Sequence, residues 1–309
     1  MADDAPLRGV IPIAPTIFND DESLDLDGQR RSLDFLIDAG VDAICVLANY
    51  SEQFSLSDHE RDELLALALD HVAGRVPVIV TTSHYSARIA AERSRRAQEA
   101  GAAMVMLMPP YHGATLRVGG SDLGGYFGTV AGAIGIPIMI QDAPMSGTPL
   151  PPVLLAGLAR SIPLVRYAKI ESANAATSIR ALIDLAGNAL PGPFDGEEGI
   201  TLIPDLEAGA VGTMPSAMIP EILGDVVRRW HGGDRAGATD LWEAWLPMIH
   251  FENRQCGLRA TKLLMREGGI IGSAATRAPF GPLPLPIERG LIAHARRRDP
   301  LILRWAAAH

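Results

Sequence analysis

Eight short runs rich in apolar residues recur between residues 10 and 214: Val10–Ala14, Ala43–Leu47, Val76–Thr81, Ala103–Met108, Ile136–Gln141, Leu164–Lys169, Ala189–Asp195 and Ala210–Met214. Most of the segments between them have helical periodicity. Gln29–Ala39 places Leu33, Leu36 and Ile37 on one face, and Asp58–Val72 does the same with Leu64, Leu65, Ala68 and Val72. Glycines at 40, 74, 101, 135 and 209 stand where helices should stop before the next strand. Continuously apolar strands alternating with helices require a parallel sheet covered on both faces. Eight such units over roughly 220 residues match a (β/α)8 TIM barrel, an α/β fold. An open doubly wound sheet is the alternative, but no Gly-rich phosphate loop follows the first strand, where Pro12 and Pro15 stand instead. The barrel with its catalytic site is expected over residues 1–232. Residues 233–309, with helical periodicity in Ala236–His250, Leu258–Arg266 and Ile287–Arg297, read as a helical region packed on it.

The net charge of −9 argues against nucleic acid or an anionic membrane surface as partner, since phosphates demand basic patches. The basic run Arg296–Arg298 is followed at once by Asp299 and reads as a solvated helix end. No apolar stretch has the length of a membrane span, the acidic start lacks a signal core, and two cysteines, Cys45 and Cys256, give no disulfide framework. A cytoplasmic location is the expectation.

In a barrel of this kind chemistry belongs at the C-terminal ends of the strands. There the sequence offers Asn49-Tyr50-Ser51-Glu52, then Pro109-Pro110-Tyr111-His112, then Gln141-Asp142. Lys169 with Glu171, Asp195-Gly196-Glu197-Glu198 and Met214-Pro215-Ser216 complete the set. Lys169 ends an apolar strand, where burial disfavours the ammonium and a neutral amine can attack a ketone to form a Schiff base. Glu171, two residues on, falls on the same face if the strand continues. An interior lysine held in an ion pair by that carboxylate is the structural alternative. Asp195, Glu197 and Glu198 have the look of a metal site. No histidine flanks them, and helix capping is the preferred reading. No metal and no cofactor are expected.

Together these motifs resemble the class I pyruvate-type aldolase family, which includes dihydrodipicolinate synthase, N-acetylneuraminate lyase and aldolases and dehydratases of 2-keto-3-deoxy sugar acids. The resemblance spans roughly Arg8 to Arg266 and includes the opening Gly9-Val10-Ile11-Pro12-Ile13-Ala14-Pro15-Thr16-Ile17-Phe18. It implies that Lys169 forms an imine with a small 2-keto acid. It further implies that the loop Ala48-Asn49-Tyr50-Ser51-Glu52, which keeps only Glu52 of the family's Gly-Ser/Thr-Thr-Gly-Glu motif, binds the substrate carboxylate through Ser51 and neighbouring amides of Asn49 and Tyr50, and that Tyr111 matches a family tyrosine by position. Asp195, Gly196, Met214 and Ser216 join the expected substrate site by their place at the strand ends. A homotetramer is implied as well. The chain departs from the family at strand five, where Gln141-Asp142-Ala143-Pro144 replaces the usual Tyr-Asn-x-Pro and removes the proton-shuttling phenol. Glu171 stands where a small residue is common. With Lys169, Glu171 and Gln141 as the catalytic set, the expected reaction is dehydration. The substrate would be a 2-keto-3-deoxy sugar acid of pentose breakdown, L-2-keto-3-deoxyarabonate, giving 2-oxoglutarate semialdehyde and water. Aldol cleavage of a related acid, dehydration with decarboxylation of 5-keto-4-deoxyglucarate, and keto-acid binding without turnover are the alternatives.

Overall fold

The structure is a computed structural model and describes residues 6–111 and 118–309; His112 lies outside the described residues. All eight expected strands form: β1 (Gly9–Val10), β2 (Ile44–Val46), β3 (Val78–Thr81), β4 (Met104–Leu107), β5 (Ile138–Asp142), β6 (Val165–Ile170), β7 (Gly192–Asp195) and β8 (Gly212–Thr213). They alternate with α1 (Leu26–Asp38), α2 (Asp58–Val72), α3 (Ala87–Glu99), α4 (Gly120–Ala131), α5 (Pro152–Ser161), α6 (Ala175–Ala186), α7 (Leu202–Ala208) and α8 (Pro220–His231). Strands neighbour in the order β1-β8-β7-β6-β5-β4-β3-β2, and the registered pairs from β3 to β8 run parallel. The architecture is a (β/α)8 barrel. Beyond it come α9 (Arg235–Phe251), α10 (Arg259–Glu267), α11 (Leu285–Arg298) and α12 (Leu301–Arg304), the expected helical appendage. No helix among the described residues is long and apolar enough to cross a membrane.

Local sequence explains the elements and their departures from expectation. β1 is shorter than expected because Pro12 and Pro15 have no N–H to donate to a ladder. Ile13 still makes parallel bridges to both Cys45 and Ser216. The close passage of β8 beside β1 needs glycine, since a Cβ on Gly212 would lie 1.9 Å from the Gly9 carbonyl oxygen. A capping box opens α2: the Glu60 amide donates to Ser57 Oγ, and the Ser57 amide donates to the Glu60 carboxylate at 2.8 Å. Four of the five expected glycine stops take positive φ; Gly135 does not. The arginine run closes the last turn of α11, where Arg296 pairs with Glu267, and Cys45 and Cys256 are buried free thiols.

The chain divides into two compact units, each assembled from separate stretches. The first comprises the described part of Met1–Gly9 with Ile79–Glu197 and Thr201–Met214. Its core is built on β4 to β7, where Val105, Met106, Ile140 and Phe194 have no exposed surface. The second comprises Val10–Val78, Glu198–Ile200 and Pro215–His309. Phe18, Phe35, Ile44, Met248 and Leu264 form its fully buried centre.

Candidate active site

In the first unit, register brings the chemistry together. Gln141 on β5 pairs with Lys169 on β6, which pairs with Phe194 on β7. Alternation then sends Gln141 and Lys169 to one face of the sheet. β6 ends at Ile170, but the Glu171 amide still donates to the Asp142 carbonyl at 3.1 Å, so the chain stays extended and Glu171 returns to the lysine's face. Lys169 is 4% exposed. Its Nζ donates to Glu171 Oε1, and Gln141 Nε2 donates to the same oxygen at 2.7 Å. Two donors therefore converge on one carboxylate oxygen, while Gln141 Oε1 is buried with no partner among the described residues. Burial pushes the carboxyl of neighbouring Asp142 above its ordinary range. A hydrogen bond with Ser172 opposes that rise and the charge of Glu171 adds to it.

Gly196, just past β7, makes room for this pair. A Cβ there would stand 2.7 Å from Glu171 Cγ, 2.8 Å from the Ile170 carbonyl oxygen and 2.9 Å from Lys169 Cγ. Gly196→Ala should displace both side chains and, if they carry the chemistry, lower kcat by about 10²-fold, the scale set by ångström-sized misplacement. Steady-state kinetics alongside an unchanged circular dichroism spectrum would check this. A variant with wild-type kcat would remove Gly196 from the site.

Asp195 is not brought into the lysine cluster. It pairs in register with Ile170, so its side chain leaves by the opposite face. There, fully buried, it accepts from Thr213 Oγ1 at 2.5 Å and from the Glu197 amide at 3.3 Å. Neither it nor Glu197 nor Glu198 caps α7, which begins only at Leu202 with Thr201 as its N-cap. Met214 is fully buried and donates its amide to the Asp195 carbonyl. Tyr111 is half-buried, and burial pushes its phenol up to about 12, so it stays protonated at neutral pH.

The second unit holds the remaining expected residues. Asn49–Ser51 forms a 3-10 turn. Ser51 donates its hydroxyl to the Ala14 carbonyl at 2.6 Å, and its own carbonyl accepts from Thr16 Oγ1. The amides of Ser51, Glu52 and Gln53 bond carbonyls of Ala48 and Asn49 within the turn, and Asn49 Oδ1 accepts from Gln53 Nε2. Tyr50 is half-buried beside them. Ser216 is buried, and its hydroxyl bonds the carboxyl of Glu252. Burial pushes Glu252 up to about 8, and the charge of Glu198 adds to the rise.

Among the buried charged residues that escaped the reading of the sequence are Lys262, Glu252 and Asp205. Lys262 donates to Glu52 and, at 2.8 Å, to the Ala275 carbonyl, and lies 4.4 Å from the centre of the Phe18 ring. Both side chains of the Lys262–Glu52 pair have no exposed surface. The available signal was position: Lys262 sits within the continuously buried run Ala260–Met265 of α10.

Residues 6–293 match the dihydrodipicolinate synthetase family. The chain is 53% identical to an L-2-keto-3-deoxyarabonate dehydratase of Azospirillum brasilense, across 97% of each chain. Among solved structures, a putative dihydrodipicolinate synthetase from Pseudomonas aeruginosa superposes with a TM-score of 0.88 at 29% identity, covering 97% of this chain and 100% of that one. YagE from Escherichia coli K12, solved in complex with pyruvate, superposes with a TM-score of 0.85 at 28% identity, covering 96% and 100%. With a family match over nearly its whole length, the chain belongs to the dihydrodipicolinate synthetase family.

Proposed function

We propose that this protein dehydrates L-2-keto-3-deoxyarabonate to 2-oxoglutarate semialdehyde through an imine on Lys169. The observation that carries the reading is the convergence of Lys169 Nζ and Gln141 Nε2 on Glu171 Oε1. The 53% identity to a dehydratase of that substrate supports it. A carboxylate bonded directly to the amine can take its proton and free the lone pair for attack on C2. Glu171 returns that proton to the carbinolamine hydroxyl, which leaves as water, and the resulting iminium accepts electrons from the C3–H bond. Glu171 removes the C3 proton, forming the enamine, and then protonates the C4 hydroxyl as the enamine expels it as water. The conjugated iminium loses a C5 proton and regains one at C3, leaving an enol across C4 and C5. Tautomerisation yields the aldehyde, and water hydrolyses the imine to release the keto acid. One water is lost overall, and no oxidant or reductant is consumed. Gln141 cannot titrate; it holds Glu171 in place as the proton moves on and off.

Incubation with L-2-keto-3-deoxyarabonate tests the reading. The expected product is the semialdehyde; pyruvate with glycolaldehyde would instead establish aldol cleavage, and unchanged substrate would end the proposal. Glu171→Gln should still form the borohydride-trapped adduct but lose about 10²–10⁴-fold in kcat, the usual worth of general acid–base assistance. Normal turnover in that variant would take the proton transfers away from Glu171.

A further inference from the structure

Asp205, in the first turns of α7, lies outside the Lys169 cluster and has no exposed surface. Its Oδ2 accepts from Thr201 Oγ1 at 2.7 Å, and its carboxyl group is within hydrogen-bonding reach of Asp195. The donors do not suffice for two ionised carboxylates. Asp195 receives the Thr213 hydroxyl and the Glu197 amide, and Asp205 receives only Thr201. Asp205 Oδ1 is buried without a donor among the described residues. Two carboxylates cannot bond each other, but a carboxylic acid can donate to a carboxylate.

We propose that Asp205 is a neutral acid that donates its proton to Asp195, and that this bond is a positioning device for the catalytic lysine. Asp195 is the last residue of β7, and the next residue, Gly196, lies against the Lys169 and Glu171 side chains. Tying Asp195 to α7 fixes the end of β7 and therefore the surface on which the amine and its carboxylate rest. Burial raises the Asp195 carboxyl as well, but the Thr213 hydroxyl, the Glu197 amide, the hydrogen bond with Asp205 and the charge of Lys169 on β6 all oppose that rise and favour keeping Asp195 the ionised member. Glu197, in the loop after β7, repels charge on Asp205 and favours keeping it neutral. On α6, Arg180 is paired with Asp184 and reaches only the Ala208 carbonyl at the far end of α7. Burial first, then the charge of Asp195, holds the Asp205 carboxyl up at about 8, with Thr201 opposing.

The sign follows from those values. Between about pH 4 and 8 the folded protein keeps a proton that the unfolded chain has lost, so stability falls with rising pH and levels off above 8. Above about pH 8 the bond to Asp195 is lost, and with it activity. The experiment compares wild type, Asp205→Asn and Asp205→Ala in kcat against pH and in melting temperature against pH. Asparagine can donate to Asp195 and accept from Thr201. It should keep kcat within about threefold at pH 7, lose the alkaline decline, and show a stability slope shallower by one proton. Alanine should lose kcat by about 10²-fold at every pH, with KM little changed. An Asp205→Asn variant as damaged as Asp205→Ala, or one retaining both the alkaline decline and the wild-type stability slope, would overturn the proposal. The kinetic readout rests on the dehydratase reading, whereas the stability slope needs no substrate. A slope change without turnover of the keto acid would sink that reading and leave the shared proton standing.

Discussion

Lys169→Arg should retain the ion pair with Glu171 and lose all imine chemistry. A guanidinium keeps its proton throughout the accessible pH range and offers no free lone pair. Lys169 is almost fully buried against a carboxylate that also holds Gln141, so a cation at this position preserves the charge balance of the cluster. The expected loss in kcat is on the order of 10⁶-fold, the scale seen when the covalent nucleophile of an enzyme is removed. Borohydride treatment with the keto acid should add substrate mass to the peptide carrying Lys169 in the wild type, and none in the variant. An adduct on another lysine, or turnover within tenfold of wild type, would move the nucleophile elsewhere.

Lys262→Met should cause a large loss of stability. The Lys262–Glu52 pair is completely enclosed, and Glu52 has further partners that hold it in place, accepting the Arg277 amide on Oε2 at 3.1 Å. Removing the ammonium takes away the directly bonded partner of this buried carboxylate and leaves only the attraction of Arg277, a loss of about 3–5 kcal/mol. The apparent melting temperature should fall by roughly 5–10 °C, by the scaling of stability with domain size. The double variant Glu52→Gln with Lys262→Met should recover much of that loss, because the stranded charge goes with the amine. A single variant that melts within 2 °C or so of the wild type would mean that Glu52 finds another cation or takes up a proton at little cost.

The barrel was legible because its evidence is local. Apolar runs, helical periodicity and glycine stops are properties of neighbouring residues, and all eight strands appear where they were expected. Lys169 and Glu171 were legible for the same reason, being two residues apart on one extended segment. What escaped was register and long-range pairing. Alternation along β7 fixes that Phe194 and Asp195 face opposite ways. Only the pairing of Lys169 with Phe194 reveals that Asp195 faces away from the lysine. Asp205 and Lys262 lie on helices, where charge normally marks the solvent side, and their partners are distant in sequence or on another element. Glu252 lies in a π-turn after α9, an irregularity that periodicity does not encode.

Lys169 and Gln141 both hold Glu171 through Oε1, so its carboxyl group is fixed to one side of any imine formed on that lysine. A base that takes the C3 hydrogen from that side and returns it to the C4 hydroxyl imposes a stereochemistry: the two groups leave syn. The proposed mechanism therefore takes one alone of the two diastereotopic hydrogens at C3, and the configuration at C4 decides which sugar acid can present its hydroxyl to the same carboxylate.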